Sequence, residues 1–243
     1  MSGQPAAKAT LSPPVSSEVR PFNQASLLAA FAALPESNLT QGDGVTFALW
    51  SAKDPAAVDV ISKDFADSFA AHRNADRYVQ LLKSHAAPMG LTSADVPVNF
   101  GPYDFNSKSF PIERNFGQMF GSYYNRDELN KGALNHLYVG RYVGQRTMPD
   151  GSGLYYGGLP NLSFDNVRRF PTGYALNTDQ AEIREKALQQ YSLTEHVVFY
   201  PVTMSRGSGI DAVMHVTKVI LEQRPKGAPT AVPTILMSTD LSS

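Results

Sequence analysis

The chain has 243 residues, 42% of them hydrophobic and 18% charged. That apolar content is enough to bury a core, excludes disorder along the whole length, and fits one large domain or two small ones. The 21 Lys and Arg stand against 22 Asp and Glu for a net charge of −1, without the basic excess of a general nucleic-acid binder, so no nucleic acid is expected as a partner.

No cysteine is present, which removes disulfides, thiolate nucleophiles, iron–sulfur clusters and cysteine-based zinc sites. No run of ~18 apolar residues exists to span a membrane as a helix.

Residues 1–21 are rich in Ser, Pro, Ala and Gly, with Pro13-Pro14 and Ser16-Ser17 and no apolar stretch. Such a composition cannot offset the entropy of ordering, and it predicts a disordered tether rather than a signal peptide or transit helix. Mature bacterial lipoproteins carry such a linker after their lipidated cysteine. On that expectation the protein is exported, and a lipid tether at the N-terminus holds it in the periplasm or at the outer membrane. The competing expectation is a cytosolic protein with a frayed start.

Residues 22–95 read as a helical part. Asn23 caps a helix to Leu34, with Leu27, Leu28, Phe31 and Leu34 on one face and Pro35 ending it. The loop Glu36 to Gly44 carries the turn residues Asn38, Gly42, Asp43 and Gly44. Val45 to Trp50 is an apolar run that periodicity leaves as either a strand or a buried turn of helix. Asp54-Pro55 starts a long helix to about Leu82, with a break expected near Asn74 and a stripe of Val58, Ile61, Phe65, Phe69, His72, Val79 and Leu82.

Residues 96–243 read as a β-rich part. Leu134 to Gln145, His196 to Met204 and Ala212 to Leu221 are strand candidates, and Arg206-Gly207-Ser208-Gly209 joins the last two as a hairpin. One inserted helix is capped by Asn177 or Thr178 and striped by Ile183, Ala187, Leu188 and Tyr191. Ile235 to Met237, after a proline-rich connector, reads as an edge strand. No linker interrupts the chain near Val96, so the two parts are expected to share one core. The fold class is α+β, with N-terminal helices packed on a mainly antiparallel sheet.

Asn106-x-Lys108-x-Phe110-Pro111 and Asn166-x-Arg168-x-Phe170-Pro171 share a pattern 60 residues apart, with His136 and His196 at the same offset. Two readings stand: a duplicated β unit, with a weaker helical element near Asp127 to Lys131 in its first copy, or a chance likeness between two turns.

No phosphate-binding loop, dinucleotide fingerprint, paired-histidine zinc motif, EF-hand or nucleophile elbow occurs, and no cofactor is called for. His136, His196 and His215 all fall on strand candidates, where three imidazoles could converge on a metal or form an acid–base site. His72 reads as a core residue and His85 as a helix-end residue favoured by the dipole. Asp104 and Asp165 read as caps of the repeated turns. Tyr155 and Tyr156, with Arg168 and Arg169 at a turn tip, read as an aromatic and basic binding surface.

The first functional reading is therefore a non-enzymatic, envelope-associated or exported interaction protein that binds a protein partner through its sheet surface. The second is a metal-dependent or acid–base hydrolase using His136, His196 and His215. The third is a small-ligand carrier with a pocket between helices and sheet.

Overall fold

A computed structural model describes residues 9–51, 60, 61, 63, 64, 68–114, 137, 138, 146, 147, 153, 154, 161–206, 209–228 and 230–242. His136, Tyr155, Tyr156, the helical element proposed near Asp127 to Lys131 and most of the strand from Leu134 lie outside these residues, as does the His72 side chain. The described residues form four helices, a ten-stranded, mostly antiparallel sheet and a separate two-stranded ribbon, an α+β fold.

The first helix, α1 (Gln24–Ala32), begins where expected. The Asn23 side chain accepts from the Ala25 N–H at 2.7 Å, and the helix stops before Pro35. Leu27, Leu28 and Phe31 are buried, but so are Ala25, Ala29 and Ala30, so α1 is apolar nearly all round rather than striped.

The apolar run after Gly44 belongs to a second helix, α2 (Gln41–Ser51). Thr40 and Asp43 start it reciprocally. Asp43 accepts from the Thr40 N–H at 2.7 Å and its hydroxyl at 2.8 Å, while the Asp43 N–H donates to Thr40 Oγ1 at 3.3 Å. Gly44 therefore serves packing and not the expected turn. A Cβ there would lie 2.5 Å from the main-chain carbon of Tyr78, on the third helix, α3 (Ser68–Ser84). That helix runs unbroken through Asn74. Tyr78 and Leu82 are buried, whereas Phe69, expected on the stripe, is 76% exposed.

The sheet begins with β1 (Ala9–Thr10) and β2 (Arg20–Pro21), both inside the segment read as a tether. They pair with β10 (Tyr191–Arg206) and β3 (Thr92–Phe100), respectively. β4 (Ser109–Arg114) pairs antiparallel with β3 and with β9 (Gly173–Ala175). β5 (Leu137–Tyr138) pairs with β8 (Asn161–Phe164), and β6 (Arg146–Thr147) with β7 (Gly153–Leu154) forms the ribbon.

β10 and β11 (Ile210–Pro225) form the predicted hairpin, in register from Arg206↔Ile210 to Tyr191↔Pro225 with two shifts. β12 (Thr234–Asp240) covers part of β11 and pairs with no other described strand, which makes it an edge. The inserted helix, α4 (Thr178–Leu188), is capped by Asn177, which accepts from the Gln180 N–H at 2.9 Å. Its buried residue is Ala181. Ile183, expected on the stripe, is 71% exposed.

The alternation of the hairpin sorts its side chains. Glu195, Val197 and Phe199 oppose Leu221, Val219 and Val216, all fully buried. One apolar cluster joins these to Val96 and Val98 of β3 and to Leu27, Leu28 and Phe31 of α1. Glu195 lies inside it and is held by Arg114 through Nε and Nη2 at 2.5 and 2.7 Å. The same guanidinium donates to the Pro171 carbonyl and lies 5.4 Å from the centre of the Phe170 ring. At the hairpin tip, Arg206 pairs with buried Asp43 of α2 over the Phe31 ring.

The two Asn-x-basic-x-Phe-Pro segments differ in form. Lys108 sits at φ 50 in a turn that leads straight into β4, whereas Val167–Arg169 form a 3-10 turn. β3 and β4 pair with each other. β8 pairs with β11 and β5, and β9 with β4. The described strands thus pair differently on the two sides of the motif, and most of the first proposed copy after Arg114 lies outside the described residues.

Candidate functional site

The opposite face of the hairpin presents Thr194, His196 and Tyr200 of β10 beside Glu222, Ile220 and His215 of β11. Each of the two histidines is held by an aspartate from the next element. His196 is directly opposite Asp95 of β3. Main-chain bonds from Arg20 to Leu91 and from Phe22 to Ser93 show that odd-numbered β3 residues turn their amide groups away from β10. Asp95 and His196 are therefore a non-hydrogen-bonded pair, the type in which side chains approach most closely. The Asp95 carboxylate reaches His196 Nδ1 at 2.8 Å.

His215 is reached by Asp165, which follows β8 in parallel alignment with β11. Both carboxylate oxygens lie near Nδ1, at 3.0 and 3.1 Å. Asp165 thus holds an imidazole across the sheet instead of capping its own turn. Asp104 does cap, accepting from the Asn106 N–H at 2.8 Å and from the Ser107 hydroxyl at 2.8 Å.

Asn166 keeps Asp165 in place. It is buried, accepts from the Val216 N–H at 3.1 Å and donates to the Val216 carbonyl at 2.7 Å, so its amide extends the β8–β11 ladder by one side-chain rung.

The electrostatics of the first pair follow from this geometry. The hydrogen bond to Asp95 raises the His196 pKa above the usual imidazole value, with the Asp95 and Glu222 charges adding to it and partial burial opposing it. The bond from His196 holds the Asp95 carboxyl below its usual value, helped by the charges of His196 and Arg224. In both pairs the aspartate fixes Nδ1 and, among the described residues, Nε2 has no partner, which is the arrangement of an oriented hydrogen-bonding or acid–base imidazole.

The two pairs do not converge. His215 opposes Tyr200, four residues along β10 from His196, or roughly 13 Å at strand rise. The Tyr200 and His215 rings touch at 5.6 Å between centres. Among the described residues no three His, Cys, Asp or Glu side chains gather where they could hold a metal ion. Arg168 and Arg169 are exposed on the 3-10 turn just after Asp165, and Arg169 reaches the Leu241 carbonyl at 3.5 Å.

Two hollows adjoin these elements. One, of about 400 Å³, is lined by Pro21, Phe22, Gln24, Ser93, Asp95 and His196, with Ala94. A larger one, of about 550 Å³, lies among the 16–23 segment, α1, the ends of α2 and α3 and the loop before β3. Its lining includes Arg20, Ala29, Phe47, His85, Met89 and Thr92. His85 stands past the end of α3 with Nδ1 2.9 Å from the Leu81 carbonyl, as expected of a helix-end histidine.

Sequence reasoning found His196 and His215 but did not single out Asp95 and read Asp165 as a turn cap. These aspartates lie 101 and 50 residues from their partners, and strand register alone brings them together. Comparison with family models, with curated proteins and with solved structures finds no match to this chain.

Proposed function

We propose that this is a non-enzymatic binding protein whose partner, another protein, docks on the outward face of β3, β10 and β11. The observation that supports the reading is the pair of aspartate-held imidazoles on that face, each with Nε2 unbonded among the described residues and with Tyr200 beside His215. Hydrogen-bonding groups fixed in advance cost little to order on binding, and aromatic, amphipathic side chains suit a protein interface. In this reading the helices form a layer over the inner face, the arrangement to which the shared cluster of α1 and sheet residues points, and the outer face is left for recognition.

Histidine footprinting with diethyl pyrocarbonate, on the purified protein and on its complex recovered from native cells, tests this reading. Both imidazoles should be protected in the complex, and His196→Gln with His215→Gln should release the partner. Turnover of a simple ester, or stoichiometric metal lost with those substitutions, would overturn the reading in favour of the hydrolase.

The 550 Å³ hollow favours a second reading, that of a small-ligand carrier. Its size suits a small organic molecule, and its apolar residues Ala29, Phe47 and Met89 stand beside the polar Arg20 and His85. Quenched binding of an environment-sensitive fluorophore on Phe47→Trp would support it. Unchanged fluorescence across a metabolite extract would count against it.

A further inference from the structure

We propose that the edge of β3 at residues 94–97 is a docking slot for a short extended peptide of the partner. This inference rests on the partner-binding reading above and specifies where and by what chemistry the contact is made.

β3 is paired along its whole β10 side from Thr92 to Val98. On its other side, β2 pairs only with Thr92 and Ser93, and β4 only with Val98 to Phe100. Residues 94–97 between them pair with no described strand on that side. The direction of the main-chain groups at this gap follows from its two ends. Leu91 and Ser93 carbonyls accept from β2 and its continuation, and the Gly101 N–H donates to Pro111 after β4. Odd-numbered residues therefore face this edge, so the Asp95 N–H and C=O and the Pro97 C=O point into it. None of these has a main-chain partner among the described residues.

The sequence agrees with an edge at this position. Pro97 falls in the same phase, where the missing N–H costs nothing to the β10 ladder. The 400 Å³ hollow lies directly at Asp95, between the start of α1 and the strand. Ser93, Gln24 and the Asp95–His196 pair line it together with the apolar residues Pro21 and Phe22.

A donor and two acceptors in strand spacing, beside a hollow with room for a side chain, fit a peptide that adds as a strand. Main-chain bonds would give affinity and the hollow would select one side chain. A compact polar metabolite would use the hollow but leave the Pro97 carbonyl unmet.

The test uses the full chain and an array of end-blocked octapeptides, with the best binder remeasured by fluorescence polarisation. Asp95→Pro deletes the N–H facing the slot and leaves the β3–β10 ladder whole, while Asp95→Ala deletes only the carboxylate. The expected result is that Asp95→Pro binds roughly tenfold more weakly than Asp95→Ala, the scale of one lost backbone hydrogen bond.

Amide exchange in the unmodified protein supplies a readout that needs no variant. The Asp95 N–H should exchange fast in the free protein and slowly with peptide bound. Three outcomes would overturn the slot: an Asp95 amide already protected in the free chain, equal affinities of the two variants, or no octapeptide bound. Peptide binding lost in His215→Gln but kept in Asp95→Pro would sink the slot while leaving the outward-face reading intact.

Discussion

Glu195 and His196 are neighbours in the chain and each is hydrogen-bonded to an ionisable partner from another strand, yet they stand on opposite faces of β10. Glu195 is fully buried, and Arg114, its partner, is itself only 10% exposed. His196 is 34% exposed, and its partner Asp95 is 69% exposed. The inner pair is surrounded by Val96, Val197, Leu221 and other core residues, where an uncompensated charge has no water to turn to. The outer pair keeps solvent on one side, so its attraction is screened and its imidazole stays available. One strand thus uses the same chemistry for two purposes, to lock the sheet on one face and to present an oriented group on the other.

Breaking the inner pair gives the largest expected effect. Arg114→Ala should destabilise the fold by about 3–5 kcal/mol, because Glu195 is left buried and alone. Urea unfolding of the purified variant measures this, and a loss below about 1 kcal/mol would mean that water reaches Glu195. The double variant Arg114→Met with Glu195→Leu sharpens the contrast. Replacing both charges by apolar groups should return most of the lost stability, since a buried pair contributes little net against a packed apolar substitute. If the double variant is as unstable as the single one, the Arg114 bond to the Pro171 carbonyl carries the energy instead.

Asn166→Ala comes next, at about 1–3 kcal/mol, because it strands the buried N–H and C=O of Val216. It should also release Asp165, so the nitrogen chemical shifts of His215 should move toward those of a solvent-exposed imidazole. Unchanged shifts would show that Asp165 finds His215 without the Asn166 rung.

What the sequence reveals about this contrast depends on the range of each interaction. Asn23 and Asn177 announce their helices because a cap acts within three residues. The β10–β11 hairpin is legible because two alternating runs flank a glycine-rich joint. The start of α2 is hidden because Gly42 and Gly44 look like loop residues, when Gly44 is small in order to meet the Tyr78 backbone, while helix was one of the two readings of the run after it. Phe69 and Ile183 fit helical stripes, but the neighbours that would cover them are set by tertiary packing, and both remain exposed. The histidines could be picked out by type and strand position. Their aspartates could not, because nothing local marks Asp95 or Asp165 until β3 and β8 have been placed beside the hairpin.

The outer pair should show the smallest energetic effect and the clearest pH signature. A double-mutant cycle of Asp95→Asn and His196→Gln should give a coupling below about 1 kcal/mol, the range of an exposed pair. The sign on each flank of the pH profile follows from the two shifts. The His196 pKa is raised in the folded state, so its contribution is fully present below the unfolded imidazole value of 6.5 and fades as pH rises through the folded pKa. The Asp95 pKa is lowered, so its contribution is present above the unfolded carboxyl value of 3.8 and fades as pH falls through the folded pKa. The pair therefore stabilises most between those two unfolded values, and His196→Gln should flatten the stability profile on both flanks. A profile with the same slope in wild type and His196→Gln would mean that Asp95 does not hold the imidazole in solution. The outer face would then differ from the inner one only in exposure, not in having an oriented group to offer a partner.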